Sequence, residues 1–388
     1  MSIADPLLLA AALSGAALIY AVVANWRTRV FAKTAPFEGT FAPPVTLLKP
    51  LCGAEPQLYE NLRSFFTLGY PEYQIVLGAR DAADPACAVV ERLRTEFPDR
   101  DVSFVVDPSV HGTNLKVSNL INMAGAARHD VLVIVDSDIH VPTNYLTQVV
   151  APLVRPEVGA VTCLYSARPA ISTLASRLAC LQINDWFLPS VLVARSTGHV
   201  NFCMGSTMAL TRGALASIGG LWALRNILAD DYTLGHALTE RGYQIALSGC
   251  VVETVIGETK FAAVLQRELR WARTIRAVKP VAFAASCLTS TVSMSVLAAL
   301  IMVLSGTNLS YALTLVVAGL SSRLMLHYDV RRHLAVSEPA AWLVPLRDAM
   351  SFSVWAASFF SRDIIWRNRQ LSVDRHGNLL NRKQRADP

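Results

Sequence analysis

Charged side chains are scarce in this sequence. Only 16% of its 388 residues are charged, whereas 53% are hydrophobic, and the mean hydropathy is +0.37. This composition is too apolar for an ordinary soluble domain and too polar for a chain made only of membrane helices. The apolar excess lies at the two ends, and residues 45–279 have the composition of a soluble domain. We therefore expect one globular domain between membrane segments.

The sequence also lacks signs of disulfides, structural zinc and nucleic-acid binding. Its seven cysteines form no Cys-x-x-Cys pair and are odd in number, which favours a reducing cytosol. The net charge is +6, but no run of Lys and Arg is interleaved with aromatic residues, so we expect no nucleic-acid partner. Basic residues instead flank the apolar segments, which favours contact with the headgroups of a lipid bilayer.

Apolar segments at both ends predict membrane helices. Residues 6–24 are long enough to span a bilayer, and the basic residues that follow favour an uncleaved anchor over a signal peptide. Residues 281–304 and 309–326 are predicted to cross as a hairpin. Residues 340–360 contain Arg347-Asp348, and a third crossing would place the basic tail outside. We therefore interpret that stretch as re-entrant or interfacial.

These segments predict three parts: an N-terminal anchor (residues 1–34), a cytoplasmic α/β domain (35–279) and a C-terminal membrane region with a basic cytoplasmic tail (280–388). The expected location is the inner (cytoplasmic) membrane, with several passes and the globular domain facing the cytoplasm.

The middle part alternates predicted strands with predicted helices, which is the pattern of a parallel α/β sheet. The first four strands are predicted at residues 45–51, 74–79, 102–106 and 131–139, and later strands at 158–165, 202–210, 243–247 and 251–255. Residues 171–193 are apolar and aromatic with few charges. They fit either an amphipathic segment in the membrane interface or a buried core helix.

The fourth predicted strand ends in two carboxylates, Asp136 and Asp138. In extended chain these side chains point to the same side, and two close carboxylates repel each other unless a cation lies between them. Mg²⁺ and Mn²⁺ take carboxylate oxygens and complete their shells with substrate phosphates. The pattern therefore fits a metal–diphosphate site, although Asp-x-Asp is a weak motif that also fits a polar turn.

Three further polar motifs follow predicted strands or lie on predicted helices. Each is weak alone, because an Asp at a helix start is usually a cap and Arg-x-x-Arg is usually a solvated face. They are Asp81 with Asp84, Asp230-Asp231 and Arg267-Glu268-Leu269-Arg270-Trp271. Together with Asp136 and Asp138, in this order, they resemble inverting glycosyltransferases of the GT-A fold, and more narrowly the ceramide glucosyltransferase family.

The resemblance extends over nearly the whole chain. Residues 112–119 are similar to that family's Gly-x-Asn-x-Lys-x-x-Asn, and Trp366-Arg367 is similar to a C-terminal feature. Residues 48–53 (Leu-Lys-Pro-Leu-Cys-Gly) and 269–274 (Leu-Arg-Trp-Ala-Arg-Thr) resemble the bacterial branch associated with hopanoid biosynthesis.

The resemblance implies a UDP-sugar donor, a membrane lipid acceptor and a divalent metal, Mg²⁺ or Mn²⁺. It places the metal on Asp138, aided by Asp136, and the uracil base near Asp81. Lys116 would supply a positive contact to the nucleotide. Arg267, Arg270 and Trp271 would bind the diphosphate and close the acceptor site.

The resemblance assigns Asp231 as the base that takes the acceptor's proton during an inverting attack on the sugar. Because a helix N-terminus stabilises an ionised carboxylate, we expect Asp231 to be deprotonated at neutral pH. Asp84 and Asp230 are interpreted as turn or cap residues.

The expected function is transfer of glucose or N-acetylglucosamine from a UDP-sugar to a hydroxyl of ceramide or of a hopanoid polyol. Two alternatives are a processive polysaccharide synthase and an inactive lipid-binding membrane scaffold. A synthase usually has Gln at the start of the last motif and more membrane crossings. This chain has Arg267 at that position and few predicted crossings, which argues against a synthase.

Overall fold

The computed structural model describes residues 4–34, 41–196, 198, 201–334, 336, 340–361, 363–366, 369–374 and 378–381. Arg367, part of the C-terminal similarity noted above, lies outside the described residues.

Eleven strands occur in the described part of the chain. They are β1 Val45–Pro50, β2 Tyr73–Ala79, β3 Val102–Val106, β4 Val131–Ile134, β5 Ile139–His140, β6 Val158–Pro169, β7 Met208–Thr211, β8 Gln244–Ile256, β9 Asp363–Trp366, β10 Arg369–Val373 and β11 Leu379–Asn381.

The α-helices are α1 Ala4–Ala32, α2 Leu58–Phe66, α3 Ala86–Glu96, α4 Leu115–Ala124, α5 Tyr145–Val150, α6 Leu174–Leu181, α7 Leu188–Ser196, α8 Arg212–Ser217, α9 Asp230–Glu240, α10 Phe261–Val278, α11 Pro280–Ala285, α12 Thr291–Leu304, α13 Leu309–Leu334 and α14 Val344–Ser358. A π-helix, Gln182–Phe187, joins α6 to α7, and 3₁₀ turns occupy Ala151–Val154, Leu221–Leu224, Ser286–Thr289 and Ala341–Leu343.

Eight strands form one sheet in the order β3-β2-β1-β4-β7-β6-β8-β5. The pairs β2–β3, β1–β2 and β1–β4 are parallel, as predicted from the alternation of strands and helices. Strand β7 runs antiparallel to both β4 and β6. The pair β6–β8 is again parallel, and β5 runs antiparallel to β8. The sheet is therefore mixed, and the prediction of a parallel sheet is wrong for the pairs that β7 and β5 make.

Strands β1, β2 and β4 are buried on both faces, which explains their mostly apolar sequence, whereas the edge strand β3 is partly exposed. Neighbouring residues of β1 enter different clusters: Leu47 packs with α2 and α3, whereas Leu48 packs with α4, α8 and α9. Helices therefore cover both faces, and the loops after the strands are left to form a site at the sheet edge.

Several strand boundaries differ from the prediction. Strand β4 ends at Ile134, and Asp136 and Asp138 lie in the turn that follows. Ile139 begins β5, which pairs antiparallel with β8. The two strands predicted at 243–247 and 251–255 form the single strand β8, with a register shift against β6 between Thr162 and Leu164. Asp136 and Asp138 thus lie in the turn between β4, which pairs with β1 and β7, and β5, which pairs with β8.

Helices α1, α12 and α13 pack against one another as an apolar bundle. By length and composition, α1 and α13 are suited to crossing a membrane. The predicted first C-terminal crossing is bent instead: Pro280–Thr289 and Thr291–Leu304 meet at 76°. The 14 residues of α12 extend about 21 Å, short of the ~30 Å hydrocarbon core.

The contacts of α14 explain that bend. Asp348 accepts hydrogen bonds from the backbone N–H groups of Val292 and Ser293 at 3.2 and 2.8 Å, and from the Ser293 hydroxyl at 2.6 Å. This carboxylate satisfies the free N–H groups of a helix start. Helix α12 therefore begins afresh at Thr291, and the charged pair within residues 340–360 faces protein.

Residues 171–193 form α6, the π-helix and the start of α7. Asn184 in the π-helix bonds both backbone groups of Ala167 in β6, at 2.8 and 2.9 Å. Arg323 of α13 donates to the Asp185 carbonyl oxygen at 2.9 Å. This segment lies between the sheet and α13, which favours the core interpretation over the interfacial one.

The last three strands form a small antiparallel sheet in the order β11-β10-β9. This sheet docks on the loop before α9: the Leu379 N–H donates to the Asn226 carbonyl oxygen at 2.9 Å, and Leu228 packs against Ile364 and Leu379. The end of the chain that follows α14 thus returns to the globular domain.

Candidate active site

The turn after β4 is held at the carboxyl edge of the sheet by two backbone contacts. Lys49, at the end of β1, donates from Nζ to the Asp136 carbonyl oxygen at 2.9 Å. The Asp136 N–H donates to the Gly205 carbonyl oxygen at 3.2 Å. These bonds leave the carboxylate of Asp136 available to other groups.

Asp138 lies half-buried beside Asp136. Its Oδ2 accepts a hydrogen bond from the Thr254 hydroxyl of β8 at 2.8 Å. Burial, together with the charge of Asp136, raises the pKa of Asp138 to about 6. A cation that binds both carboxylates would relieve this cost, which is the electrostatic condition expected of a metal site.

Lys116 joins two of the acidic motifs. Its Nζ lies 2.7 Å from Asp136 Oδ1 and 3.3 Å from Asp230 Oδ2. Burial opposes its charge, but the carboxylates of Asp136, Asp230 and Asp231 outweigh burial and hold the pKa of Lys116 above its usual value. Lys116 is therefore charged, and it ties the end of β4 to the start of α9.

The motif around Lys116 explains its position. Asn114 caps α4, because its Oδ1 accepts from the Lys116 and Val117 N–H groups at 2.9 and 3.1 Å. The Asn114 Nδ2 donates to the Ile227 carbonyl oxygen at 2.7 Å. A Cβ at Gly112 would lie 2.3 Å from the Arg225 carbonyl oxygen, so only glycine lets the two loops approach. The motif joins the start of α4 to the loop before α9.

Asp231 is fixed by backbone N–H groups. Its Oδ2 accepts from Gly205 at 2.8 Å and its Oδ1 from Tyr232 at 2.7 Å. Burial and the neighbouring charge of Asp230 raise the pKa of Asp231 to about 6. The helix N-terminus therefore does not dominate as we expected, although a carboxyl group with this pKa is still mostly ionised at pH 7.

Gly205 separates the two acidic motifs. A Cβ there would lie 2.6 Å from Asp136 Oδ2 and 3.5 Å from Asp231 Oδ2. Any larger residue would push the Asp136 carboxylate away. The sequence predicted only a strand at residues 202–210, whereas the structure places Gly205 against both carboxylates.

Asp230 does more than the predicted turn or cap role. It is buried, pairs with Lys116, and receives a hydrogen bond from Asn114 Nδ2 at 3.4 Å. Asp136, Asp138, Asp230 and Asp231 are called the acidic cluster below. Its members come from two loops nearly 100 residues apart in the sequence.

Arg267 on α10 has unused hydrogen-bonding capacity. Its Nη1 donates to Glu258 at 2.7 Å, and its guanidinium lies 5.1 Å from the centre of the Trp271 ring. Its Nε and Nη2 are buried without a hydrogen-bond partner among the described residues. Arg270, one turn along the same helix, is partly exposed. Unpartnered buried guanidinium donors fit a site that receives an anion.

Tyr165, on β6, lies close enough to both Arg267 and the acidic cluster for its pKa to be affected by their charges. Burial and the charges of Asp231 and Asp138 raise its pKa, while Arg267 opposes them. Sequence analysis missed Tyr165 and Lys49 as site residues, although both lie near the ends of predicted strands. Burial lowers the pKa of Lys49 to about 7 against the opposing charges of Asp138 and Asp136.

The other predicted acidic pair lies further along the edge. Asp81 follows β2, two strands from β4 and so about 10 Å away. Its exposed carboxylate accepts from the Ala83 N–H at 2.9 Å. Asp84 accepts from Gly53 and Ala86 N–H groups, as a turn and cap residue should.

The carboxylates present here fit a hard divalent cation that takes its remaining ligands from a substrate. Asp136 and Asp138 offer carboxylate oxygens, but no group of three His, Cys, Asp or Glu side chains able to hold a metal occurs in the described part of the chain. Mg²⁺ and Mn²⁺ commonly bind through one or two carboxylates plus phosphate oxygens and water. The site therefore suits a metal that arrives with, or is completed by, a diphosphate.

The chain is similar to known proteins in sequence and in fold. The chain is 25% identical over 252 residues to ceramide glucosyltransferase 3 of Caenorhabditis elegans, covering 63% of this chain and 53% of that protein. It is 28% identical over 207 residues to ceramide glucosyltransferase 1 of the same organism, covering 53% and 44%. The chain thus spans about half the length of these curated relatives.

Among solved structures, the fold is similar to that of a mannosyltransferase from Pyrobaculum calidifontis in complex with GDP-Man and Mn²⁺. The TM-score is 0.54 at 18% identity, covering 92% of this chain and 99% of that one. This likeness confirms the GT-A-like fold. The model of the family described as glycosyl transferase family 21 matches residues 8–379, which is most of the chain. The protein is therefore a member of glycosyl transferase family 21.

Proposed function

We propose that this protein is an inverting membrane glycosyltransferase that moves glucose or N-acetylglucosamine from a UDP-sugar to a lipid hydroxyl. The observation that carries the proposal is the position of Asp231. It is half-buried, accepts hydrogen bonds from two backbone N–H groups, and is separated from the carboxylate of Asp136 by Gly205. The proposed base would thus lie beside the proposed metal–diphosphate site.

The donor would bind across the carboxyl edge of the sheet. Asp136 and Asp138 would hold a divalent metal, which would neutralise the charge of the diphosphate leaving group. Lys116 and the free donors of Arg267 add positive charge, with Arg270 and Trp271 on the same helix. Asp81, about two strands away, would contact the uracil base.

Asp231 would take the proton from the acceptor hydroxyl as its oxygen attacks C1 of the sugar. A base works best when its pKa lies near the operating pH, and a pKa of about 6 leaves Asp231 ionised yet basic. Gly205 and Tyr232 hold the carboxylate in one orientation, so the proton acceptor need not reorganise during the reaction.

The acceptor is proposed to be a membrane lipid, either ceramide or a hopanoid polyol. Apolar helices α1 and α13 flank the globular domain in sequence and are suited to a bilayer. The sheet β9–β11 docks on the globular domain, which supports a tail on the same side of the membrane. We expect that side to be the cytoplasm, and a reporter fused after Pro388 should read cytoplasmic.

The direct test is sugar transfer by purified membranes containing the full chain. UDP-[¹⁴C]glucose and UDP-[¹⁴C]N-acetylglucosamine are each offered with ceramide or with a hopanoid polyol. We expect label in a lipid product from one of these pairs, and none with Asp231→Asn membranes. Absence of transfer from every pair would reject the proposed function and favour a lipid-binding scaffold. A growing series of labelled polymers would instead indicate a polysaccharide synthase.

A further inference from the structure

We infer that Arg347, on α14, is a positioning residue for the transfer reaction: it sets the rotation of α10 and thereby aims Arg267 at the donor diphosphate. This inference rests on the proposed function. It assigns a role to the charged pair within residues 340–360, which lies outside all of the motifs that carry the family resemblance.

Arg347 is anchored to several elements around the site. Its Nη1 and Nη2 donate to the two carboxylate oxygens of Glu268 at 2.8 and 2.9 Å, and both side chains are buried. Nη1 also reaches the Leu178 carbonyl oxygen at the end of α6, at 3.3 Å. Nε donates to Ser351, whose hydroxyl donates to Gln182 of the π-helix at 3.0 Å. One guanidinium therefore ties α14 to α10, α6 and the π-helix.

Glu268 is the central residue of a narrow buried stripe on α10. The other members are Val264 and Ala272, one turn before and after it. These two apolar side chains pack without a directional preference. The two-point bond to Arg347 is directional, because both guanidinium N–H groups must meet both carboxylate oxygens. The ion pair therefore fixes the rotation of α10 next to Arg267, while Arg273 and Arg276 bond the backbone oxygens of Asp363 and Ser361 nearer the end of the helix.

Arg267 precedes Glu268 by one residue and so projects about 100° around the helix axis. With side chains reaching roughly 6 Å from the axis, a rotation of about 10° moves such a group by about 1 Å. A misplacement of that size can cost up to ~10²-fold in rate when the group positions a substrate. Losing the Arg347 bond should therefore weaken donor binding although Arg347 does not touch the donor.

A buried pair also affects folding, so stability and positioning must be measured separately. Removing one partner leaves an uncompensated buried charge, which is strongly destabilising, whereas replacing both with apolar residues of similar volume is often tolerated. The informative protein is the double variant Glu268→Leu/Arg347→Met. It removes the directional bond without leaving a buried charge.

The experiment measures donor KM, kcat, UDP affinity by calorimetry and the thermal midpoint, on the full chain in detergent with its lipid acceptor. The matched control is Arg29→Met/Asp329→Leu, which removes the 2.8 Å ion pair between α1 and α13. We expect the Glu268/Arg347 double variant to keep a midpoint near that of the wild type while donor KM and the dissociation constant for UDP rise about tenfold. The control should keep both constants within about twofold.

A Glu268/Arg347 double variant with wild-type donor KM and UDP affinity would overturn the inference, because the pair would then serve folding alone. An equal rise in the control would also overturn it, since any loosening of the helices would have the same effect. Failure of the proposed function is recognised separately: the wild type itself would then neither bind UDP nor transfer sugar.

Discussion

The protein buries two groups of charges, and they are arranged differently. In the acidic cluster, four carboxylates face Lys116 and Lys49, and burial raises the pKa of Asp138 and of Asp231 to about 6. In a second group, which we call the bundle charge network, each carboxylate has a basic side chain or a backbone N–H group as its partner. Its members are Asp185, Glu268, Arg323, His327, Arg347 and Asp348.

The different pairing of the carboxylates indicates different roles for the acidic cluster and the bundle charge network. Glu268 meets Arg347 through two bonds, His327 Nδ1 lies 2.8 Å from Asp185, and Asp348 caps α12. Such pairs fix helices in place. The acidic cluster instead keeps carboxylates close together at a cost in stability, as groups do that await a ligand or a proton. Substitutions in the acidic cluster should act mainly on the transfer rate, and substitutions in the bundle charge network should act through stability or through the positions of the helices.

The largest expected effect is the loss of sugar transfer on chelation, which tests whether the acidic cluster binds a cation. Chelation with excess EDTA should abolish sugar transfer, because the repulsion between Asp136 and Asp138 and the charge of the diphosphate would be left without compensation. Added Mn²⁺ or Mg²⁺ should restore it, as followed by radiolabel incorporation into lipid. Full activity in EDTA would remove the metal from the mechanism.

The next effect separates the base from its neighbour. Asp231→Asn keeps the shape but removes the basicity, so turnover should fall by about 10²–10⁴ while UDP affinity stays within a few-fold. Asp230→Asn is the matched control, and its effect should act through Lys116, which it contacts. Turnover assays and calorimetry on both variants decide the assignment. Normal turnover by Asp231→Asn with a dead Asp230→Asn protein would make Asp230 the base.

A smaller effect is expected from pH. The carboxyl group of Asp231 has a raised pKa, so it gains a proton as the pH falls through about 6. Log kcat/KM for the donor should be level between pH 7 and 8 and then fall by about one unit per pH unit. A profile that stays level down to pH 5 would show that the ionised carboxylate of Asp231 is not needed.

The smallest expected effect is on thermal stability, and it compares the contribution of one carboxylate from each group. Because the pKa of Asp138 is raised in the folded protein, its ionisation destabilises the fold as the pH rises from about 4 to above 6. Asp138→Asn should therefore raise the thermal midpoint by a few degrees at pH 7.5 in EDTA, with the gain lost near pH 4. Asp348→Asn should lower the midpoint, because it weakens the cap on α12. Equal changes in the two variants would contradict the contrast.

The sequence carries enough information for the first half of the fold. Apolar runs such as Val131–Ile134 are buried on both faces, and this local pattern identifies strands and the helices between them. It does not give strand direction, so the antiparallel β7 could not be predicted. Family membership and the GT-A-like fold, predicted from the resemblance of the acidic and basic motifs taken together, are confirmed by the comparisons.

The contacts that assemble the site were less predictable, because they join residues far apart in the chain. Lys116 pairs with Asp230, which lies more than 100 residues further along the chain. The need for a glycine at position 205 arises from the carboxylates of Asp136 and Asp231, which other parts of the chain supply. The bend before α12 is likewise set by Asp348, 57 residues after Thr291. Hydropathy and helix-end rules describe local preference, and these features depend on tertiary partners. The roles assigned to the site residues remain predictions.

The central claim is that Asp231 activates the acceptor for a single displacement at the sugar. The most direct test is the anomeric configuration of the lipid product, read from the coupling constant of the anomeric proton by NMR. From the α-linked sugar of the UDP donor, the account predicts a β-linked glycolipid. An α-linked product would require retention of configuration, and it would contradict a mechanism in which Asp231 acts as the base of one inverting step.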